Sequence, residues 1–454
     1  MTEHGSRPAR HWPAGRARSG IGGIGGRASR RNRPGRTRAF AGLAAAALAA
    51  SGLAACGTAN AGTGPVTLNF YFNPDNSGAT QTAINRCDAQ SHGKYVISWQ
   101  VLPTASDDQR QQLVRRLAAH DNTMDILGLD VTWESEFAQA GFIEPWSGAN
   151  KAQAEAGTLK PALDTAIWKG KLYAVPDNSN TELLWYNSAL TPKPPTTFAQ
   201  MLADSAKLAK EGKPHYIEIQ GAQYEGATVW FNTMVASSGG SILSPNATKV
   251  TLGAPAVKAL TLMKELASGP AADPSLDVQE ENQNRLAFEA GTAAFELNYP
   301  FVYPAMKLDN PKLFKTFKWA LFPQITPGVP TKVTIGGTDL AVSAYSQHKA
   351  LAFQAALCLR DKQNQIVSAN VGGLPPTIAS LYNNPALFKD YPFHADILKE
   401  LEDASVRPKT PLYQVVSIDI SHLISPPDGI SPASTEKSMA SQLTNALQSK
   451  GLVP

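Results

Sequence analysis

From residue 66 the chain reads Val-Thr-Leu-Asn-Phe-Tyr-Phe, with Val66, Leu68, Phe70 and Phe72 on one face. That period of two predicts a strand, and residues 95–102 and 124–129 read as two more. Between those two, Ser106 with Gln109 predicts a capping box, and Leu113, Val114 and Leu117 share one helical face. Thr197 predicts the cap of a further helix, with Phe198, Met201, Leu202 and Leu208 inward and Gly212 at its stop. Leu260, Met263 and Leu266 predict a helix that ends at Gly269. A last helix is expected over 434–450, burying Met439, Leu443, Ala446 and Leu447, with Gly451 closing it. Strand and helix signals alternate, which predicts an α/β protein with mostly parallel sheets. A length of 454 residues exceeds what one core usually supports, so two lobes are expected.

Charge changes this picture at one end. The chain carries 41 Lys+Arg against 37 Asp+Glu, a net +4. Residues 1–55 hold ten of the Arg and one acid, Glu3; without them 31 basic and 36 acidic residues remain, a net −5. The basicity therefore belongs to a leader and argues against a nucleic-acid partner. An apolar stretch over 39–55 follows the Arg-rich region and is too short for a spanning helix, as a secretory signal should be. Leu53-Ala54-Ala55-Cys56 matches a bacterial lipobox, which makes Cys56 the expected site of lipid attachment and 1–55 the signal peptide. Residues 56–65 are then a flexible tether. The remaining pair, Cys87 and Cys358, reads either as a disulfide formed after export or as two buried thiols.

Motifs for catalysis are missing. Gly20-x-Gly22-x-x-Gly25 follows no strand and falls in the leader, and no Walker A loop, G-x-S-x-G or H-E-x-x-H occurs. The histidines lack metal-ligand spacing, so neither a metal nor a cofactor is expected. What stands out is a set of polar and aromatic residues at strand ends and breaks in pattern: Asp130, Asn180, Glu281, Tyr299 and Arg407. Carboxylates, amides and guanidinium groups bridge sugar hydroxyls, while aromatic faces cover the C–H patches of a pyranose. Asp130 ends an apolar strand, the position where open α/β sheets place ligands.

Four blocks carry a resemblance. They are Asp125-Ile-Leu-Gly-Leu-Asp130-Val-Thr-Trp133 continuing to Pro145, Gly170-Lys-Leu-Tyr-Ala-Val-Pro176 continuing to Asn187, Ile335-Gly336-Gly337 continuing to Ser343, and Gly372-Gly373-Leu-Pro375-Pro376. In this order they resemble the family-1 extracellular solute-binding proteins of ABC sugar importers, across 66–454. Asn85-Arg-Cys87, Thr181-Glu-Leu-Leu-Trp-Tyr186, Val229-Trp-Phe-Asn-Thr233 and Ala404-Ser-Val-Arg407-Pro408 are similar to its trehalose-recycling mycobacterial lipoproteins. The resemblance implies a Cys87–Cys358 disulfide and a sugar pocket made of Asn76, Ser77, Asp130, Asn180, Glu281, Tyr299, the Gly337 backbone and Arg407. Tyr299 stands where that branch carries Trp.

The fold implied is α/β and two-lobed, of the type II periplasmic-binding-protein kind. Each lobe is a mostly parallel sheet flanked by helices, with the ligand in the cleft between lobes. Residues 66–178 with 332–371 are expected to form one lobe, and 179–331 with 372–454 the other, with hinge crossings near 176–179, 330–333 and 370–373. The function implied is that of a monomeric, non-enzymatic receptor on the outer face of the cytoplasmic membrane. It would take a disaccharide, trehalose first and maltose-like sugars next, and deliver it to two permease subunits and their ATPase. A secreted glycoside hydrolase using Asp130 and Glu281 is the rival reading, and a lipid-anchored adhesion protein the third.

Overall fold

A computed structural model describes residues 64–448. The signal peptide, the lipobox Cys56, most of the tether and Gly451 lie outside the described residues. Eleven strands follow in chain order: β1 Val66–Phe72, β2 Tyr95–Val101, β3 Ile126–Asp130, β4 Ile167–Trp168, β5 Lys171–Leu172, β6 Ala174–Asn180, β7 Leu183–Asn187, β8 Tyr216–Glu218, β9 Ala293–Asn298, β10 Phe317–Ala320 and β11 Gly336–Val342. Five build one sheet in the order β2-β1-β3-β11-β6, and four build another in the order β10-β7-β9-β8. β4 and β5 form a small ribbon.

Each sheet is mostly unidirectional with a single reversed strand. In the first, β1 runs parallel to β2 and β3, while β11 is antiparallel to both β3 and β6. In the second, β8 is parallel to β9, and β7 is antiparallel to β9 and β10. The reversed strands are the ones reached from the opposite sheet. β7 follows β6 after two residues, and β11 pairs with β6 in return, so the chain crosses between sheets at these points.

Alternation along β7 shows why the second sheet is buried on both faces. Leu184 and Tyr186 join one core with Phe198, Trp230, Leu260 and Met439. Leu183 and Trp185 join another with Phe288, Phe317 and Phe393. Trp185 is wholly buried, stacks on Phe317 at 5.2 Å, and donates its indole N–H to the Asn298 carbonyl at 2.8 Å. A buried Trp keeps its polar edge satisfied in this way. The first sheet has its own core, including Leu68, Phe70, Leu113, Leu117 and Leu129.

Local expectations meet the structure unevenly. Thr197 caps the helix Phe198–Lys210 by accepting from Gln200 N at 3.1 Å, and Gly212 lies beyond it at φ +66. The Ser106–Gln109 capping box does not form. Ala105 is the extended residue, so Ser106 already lies inside the helix Ser106–Ala118. Gln109 reaches back past it, donating to the Pro103 carbonyl at 2.9 Å. The final helix runs Pro432–Leu447, two residues earlier than expected at its start, because proline's fixed φ suits a first turn. Cys87 and Cys358 form a disulfide that ties the helix Ala79–Gln90 to the helix Lys349–Leu359.

A candidate ligand site between the two sheets

The strand ends of both sheets face a cavity of about 250 Å³. From the first sheet come Asp130 at the end of β3, Asn180 at the end of β6, Gly336 and Gly337 at the start of β11, and residues 104–107 after β2. From the other side come Tyr224, Glu225 and Gly226 at the start of one helix, Glu280 and Glu281 at the start of another, and Tyr299 and Arg407.

Each group is placed by its local sequence. Asp130 follows four buried strand residues, and its Oδ1 accepts from Thr132 N at 3.0 Å and Thr132 Oγ1 at 2.8 Å. That turn ends the strand and fixes the carboxylate at its tip. β11 approaches β6 so closely that a Cβ on Gly337 would fall 2.3 Å from the Asn178 carbonyl oxygen, and its φ is +128. Only glycine takes that conformation and that contact. Asn298, the last residue of β9, donates to the Glu281 carbonyl at 2.8 Å and accepts from Tyr299 N at 2.8 Å. It thereby holds Tyr299 and the start of the helix Glu281–Glu289 together. A Cβ on Gly226 would lie 2.2 Å from the Tyr224 hydroxyl, so this glycine lets the phenol lie across the first turn of the helix Glu225–Ser237.

Arg407 is the centre of the electrostatics. Its side chain is 3 % exposed; Nη1 donates to Glu225 Oε1, and Nη2 lies 3.4 Å from Asp130 Oδ1. The guanidinium thus joins a carboxylate from each side of the cavity. Burial alone would lower its pKa, but Asp130, Tyr413 and Glu225 raise it well above the usual value, so it stays cationic. Glu225 is also bonded by Tyr413 and Ser417. Burial raises its pKa in spite of Arg407, and burial likewise raises that of Glu281. Two further bonds cross the cleft: Gln414 Nε2 to Asp107 Oδ1 at 2.8 Å, and Lys409 Nζ to the Asp164 carbonyl.

Polar atoms here lack partners within the chain. Asn180 Oδ1, the Tyr224 hydroxyl and Arg407 Nε are buried without a hydrogen bond. Buried polar atoms are normally satisfied, so a cluster of orphans facing one cavity marks where a hydroxyl-rich ligand would complete them. Two helices, Glu225–Ser237 and Glu281–Glu289, begin at the cavity with no side-chain cap, leaving first-turn N–H groups for acceptors.

The cavity therefore unites Asp130, Asn180, Glu281, Tyr299, Gly337 and Arg407. Asn76 and Ser77 are elsewhere, in a separate cavity of about 510 Å³ with Phe72, Asn282, Arg285 and Phe301. Ser77 is engaged locally, its N–H and hydroxyl both donating to Asp75 Oδ1. Sequence reasoning missed Tyr224, Glu225 and Gly226. Their signal was the apolar Val229-Trp-Phe block, which marked a buried helix but not what its start would face. A third cavity, of about 300 Å³, has mostly apolar walls from Pro194, Pro195, Leu321, Phe322 and Pro330 and no residue of the first sheet.

Residues 90–366 match the family described as bacterial extracellular solute-binding protein. A Deinococcus radiodurans protein named a probable ABC transporter-binding protein is 28% identical over 321 residues, which is 68% of this chain and 75% of that relative. Among solved structures, maltose-bound T. maritima MalE3 superposes with a TM-score of 0.76 at 25% identity, covering 83% of this chain and 99% of its own. The sugar-binding protein MalE from the phytopathogen Xanthomonas citri gives 0.73 at 21% identity, covering 85% and 98%, a likeness of fold.

Proposed function

Because the chain belongs to the bacterial extracellular solute-binding protein family, we propose that it is the substrate-binding receptor of an ABC sugar importer, with trehalose as its ligand. Proteins of this family are exported and are not enzymes, which removes the glycoside hydrolase reading. The observation that carries the proposal is the Asp130–Arg407–Glu225 bridge, set among orphaned amide and phenol groups in a cavity that draws on both sheets. Such a set suits vicinal hydroxyls, and Tyr299 supplies the aromatic face. A transporter connection is supported by the name of the Deinococcus relative, and a sugar by the maltose in the MalE3 structure. Trehalose rests on the sequence blocks around Cys87, Trp185, Trp230 and Arg407.

In this reading Asp130, Asn180, Glu281, Tyr299, Gly337 and Arg407 bind the sugar directly, with Asn76 and Ser77 in the separate cavity. The lobes are 66–178 with 332–371 and 179–331 with 372–454. The sugar gains contacts from both only when they close, so it shifts an open–closed equilibrium by its differential affinity for the closed form. Acylation at Cys56 would keep the receptor beside two permease subunits and raise its effective concentration there. Calorimetric titration against trehalose, maltose, cellobiose and sucrose tests the ligand. Saturable heat with trehalose is expected; heat with another sugar and none with trehalose would keep the receptor and reject its ligand.

A further inference from the structure

The cavity has an unbalanced charge. Asp107, Asp130, Glu225, Glu280 and Glu281 line it against a single cation, Arg407. Both Nη atoms of that guanidinium are committed, one to Asp130 and one to Glu225. Asp107 and Glu280 are exposed and keep their hydration. Glu281 is the exception: it is partly buried, and among the described residues no Lys, Arg or His makes an ion pair with it. Arg285, one turn along the same helix, is taken by Glu289 at 2.7 Å and Asp309 at 2.6 Å, and it lines the other cavity, with Asn76 and Ser77. Around Glu281 stand the acids Glu280, Glu225 and Glu182 and the phenol Tyr299, while the Tyr224 hydroxyl favours its carboxylate without supplying a charge.

A carboxylate taken out of water without a counter-charge is costly; neutral donors relieve part of that cost, and a proton or a cation from the ligand relieves the rest. Burial outweighs the first-turn N–H and the Tyr224 hydroxyl and pushes Glu281 toward its protonated form. Neutral disaccharides accept that state and gain one ordinary hydrogen bond. An ammonium group would instead form a charge-assisted bond, about twice as strong, in a cavity whose one lining cation, Arg407, is already committed to Asp130 and Glu225.

We propose that this cavity selects amino sugars, binding a disaccharide that bears a primary amine more tightly than its neutral parent, with the ammonium on Glu281. The inference rests on the sugar-receptor reading and narrows its substrate class. The test is calorimetric titration, near neutral pH, of the four positional mono-amino-monodeoxy derivatives of trehalose beside trehalose itself, on the wild-type protein and on Glu281→Gln. At least one derivative should bind about tenfold more tightly than trehalose, and that preference should vanish in Glu281→Gln. The inference is overturned if none of the four outcompetes trehalose on the wild type, or if the preference survives in the variant. Should Glu281→Gln fail to fold, the wild-type ranking decides alone. Trehalose binding without an amine preference removes only this inference, whereas no heat from any sugar removes the receptor reading beneath it.

Discussion

Replacing Arg407 by Ala separates what this residue does for the fold from what it does for the ligand. The guanidinium is 3 % exposed and is, among the described residues, the sole cation paired with Glu225, whose other partners are the Tyr413 and Ser417 hydroxyls. Removing it leaves an uncompensated buried carboxylate, a change that costs about 3–5 kcal/mol. At about 2.1 cal/mol/K of unfolding entropy per residue, each kcal/mol moves the thermal midpoint of a chain this long by about 1–1.5 °C, so a fall of roughly 3–8 °C is expected. Glu225→Gln in the Arg407→Ala background removes the stranded charge while keeping its shape; the amide oxygen still accepts from one hydroxyl and the amide N–H donates to the other. Most of the lost midpoint should then return, as coupling within one network requires. Affinity should not return, because the groups that bridge the cleft to Asp130 at 3.4 Å are still missing. Asp130→Asn should show the converse, with little change in midpoint, since its pair is long and its side chain 27% exposed, but a weaker sugar. Differential scanning fluorimetry and sugar titration on the four proteins provide both readouts. An Arg407→Ala protein with an unchanged midpoint, or a double variant that regains affinity, would refute the reasoning.

Gly337→Ala should weaken sugar binding and lower stability together, because its Cβ would meet the Asn178 carbonyl 2.3 Å away at φ +128; calorimetry showing wild-type affinity would sink that view. Reduction of Cys87–Cys358, or its replacement by two Ser, should cost roughly 2–5 kcal/mol, since it closes a loop of 271 residues, and chemical denaturation would read the loss. Burial raises Glu182 from 4.5 to about 8, helped by Glu281 and Glu400, and both its carboxylate oxygens lack partners. A raised folded-state value means that its stabilising effect is complete below about pH 4.5 and lost as pH climbs toward 8. Glu182→Gln should therefore gain stability over the wild type as pH rises through that window. A pH-independent difference would show that Glu182 is not protonated in the fold.

What could be read in the sequence were features that depend on near neighbours. β1 and the Thr197 cap follow from residues a few positions apart, and Asp130 was visible because an apolar strand ends there. The Ser106 box failed for the same kind of reason, since the choice between Ala105 and Ser106 as the extended residue is made by how the loop from β2 lands. Glu225 was invisible because its meaning comes from Arg407, 182 residues later, and from a helix whose apolar pattern hides its start. Ser77 has the chemistry of a sugar ligand, but Asp75, two residues away, uses its donors first.

Small-angle X-ray scattering of the protein with and without saturating trehalose tests most directly whether the two sheets close over a sugar. The radius of gyration should fall on adding trehalose and stay unchanged in Arg407→Ala. Trehalose bound with no compaction, or no effect of trehalose on either protein, would contradict closure over this ligand.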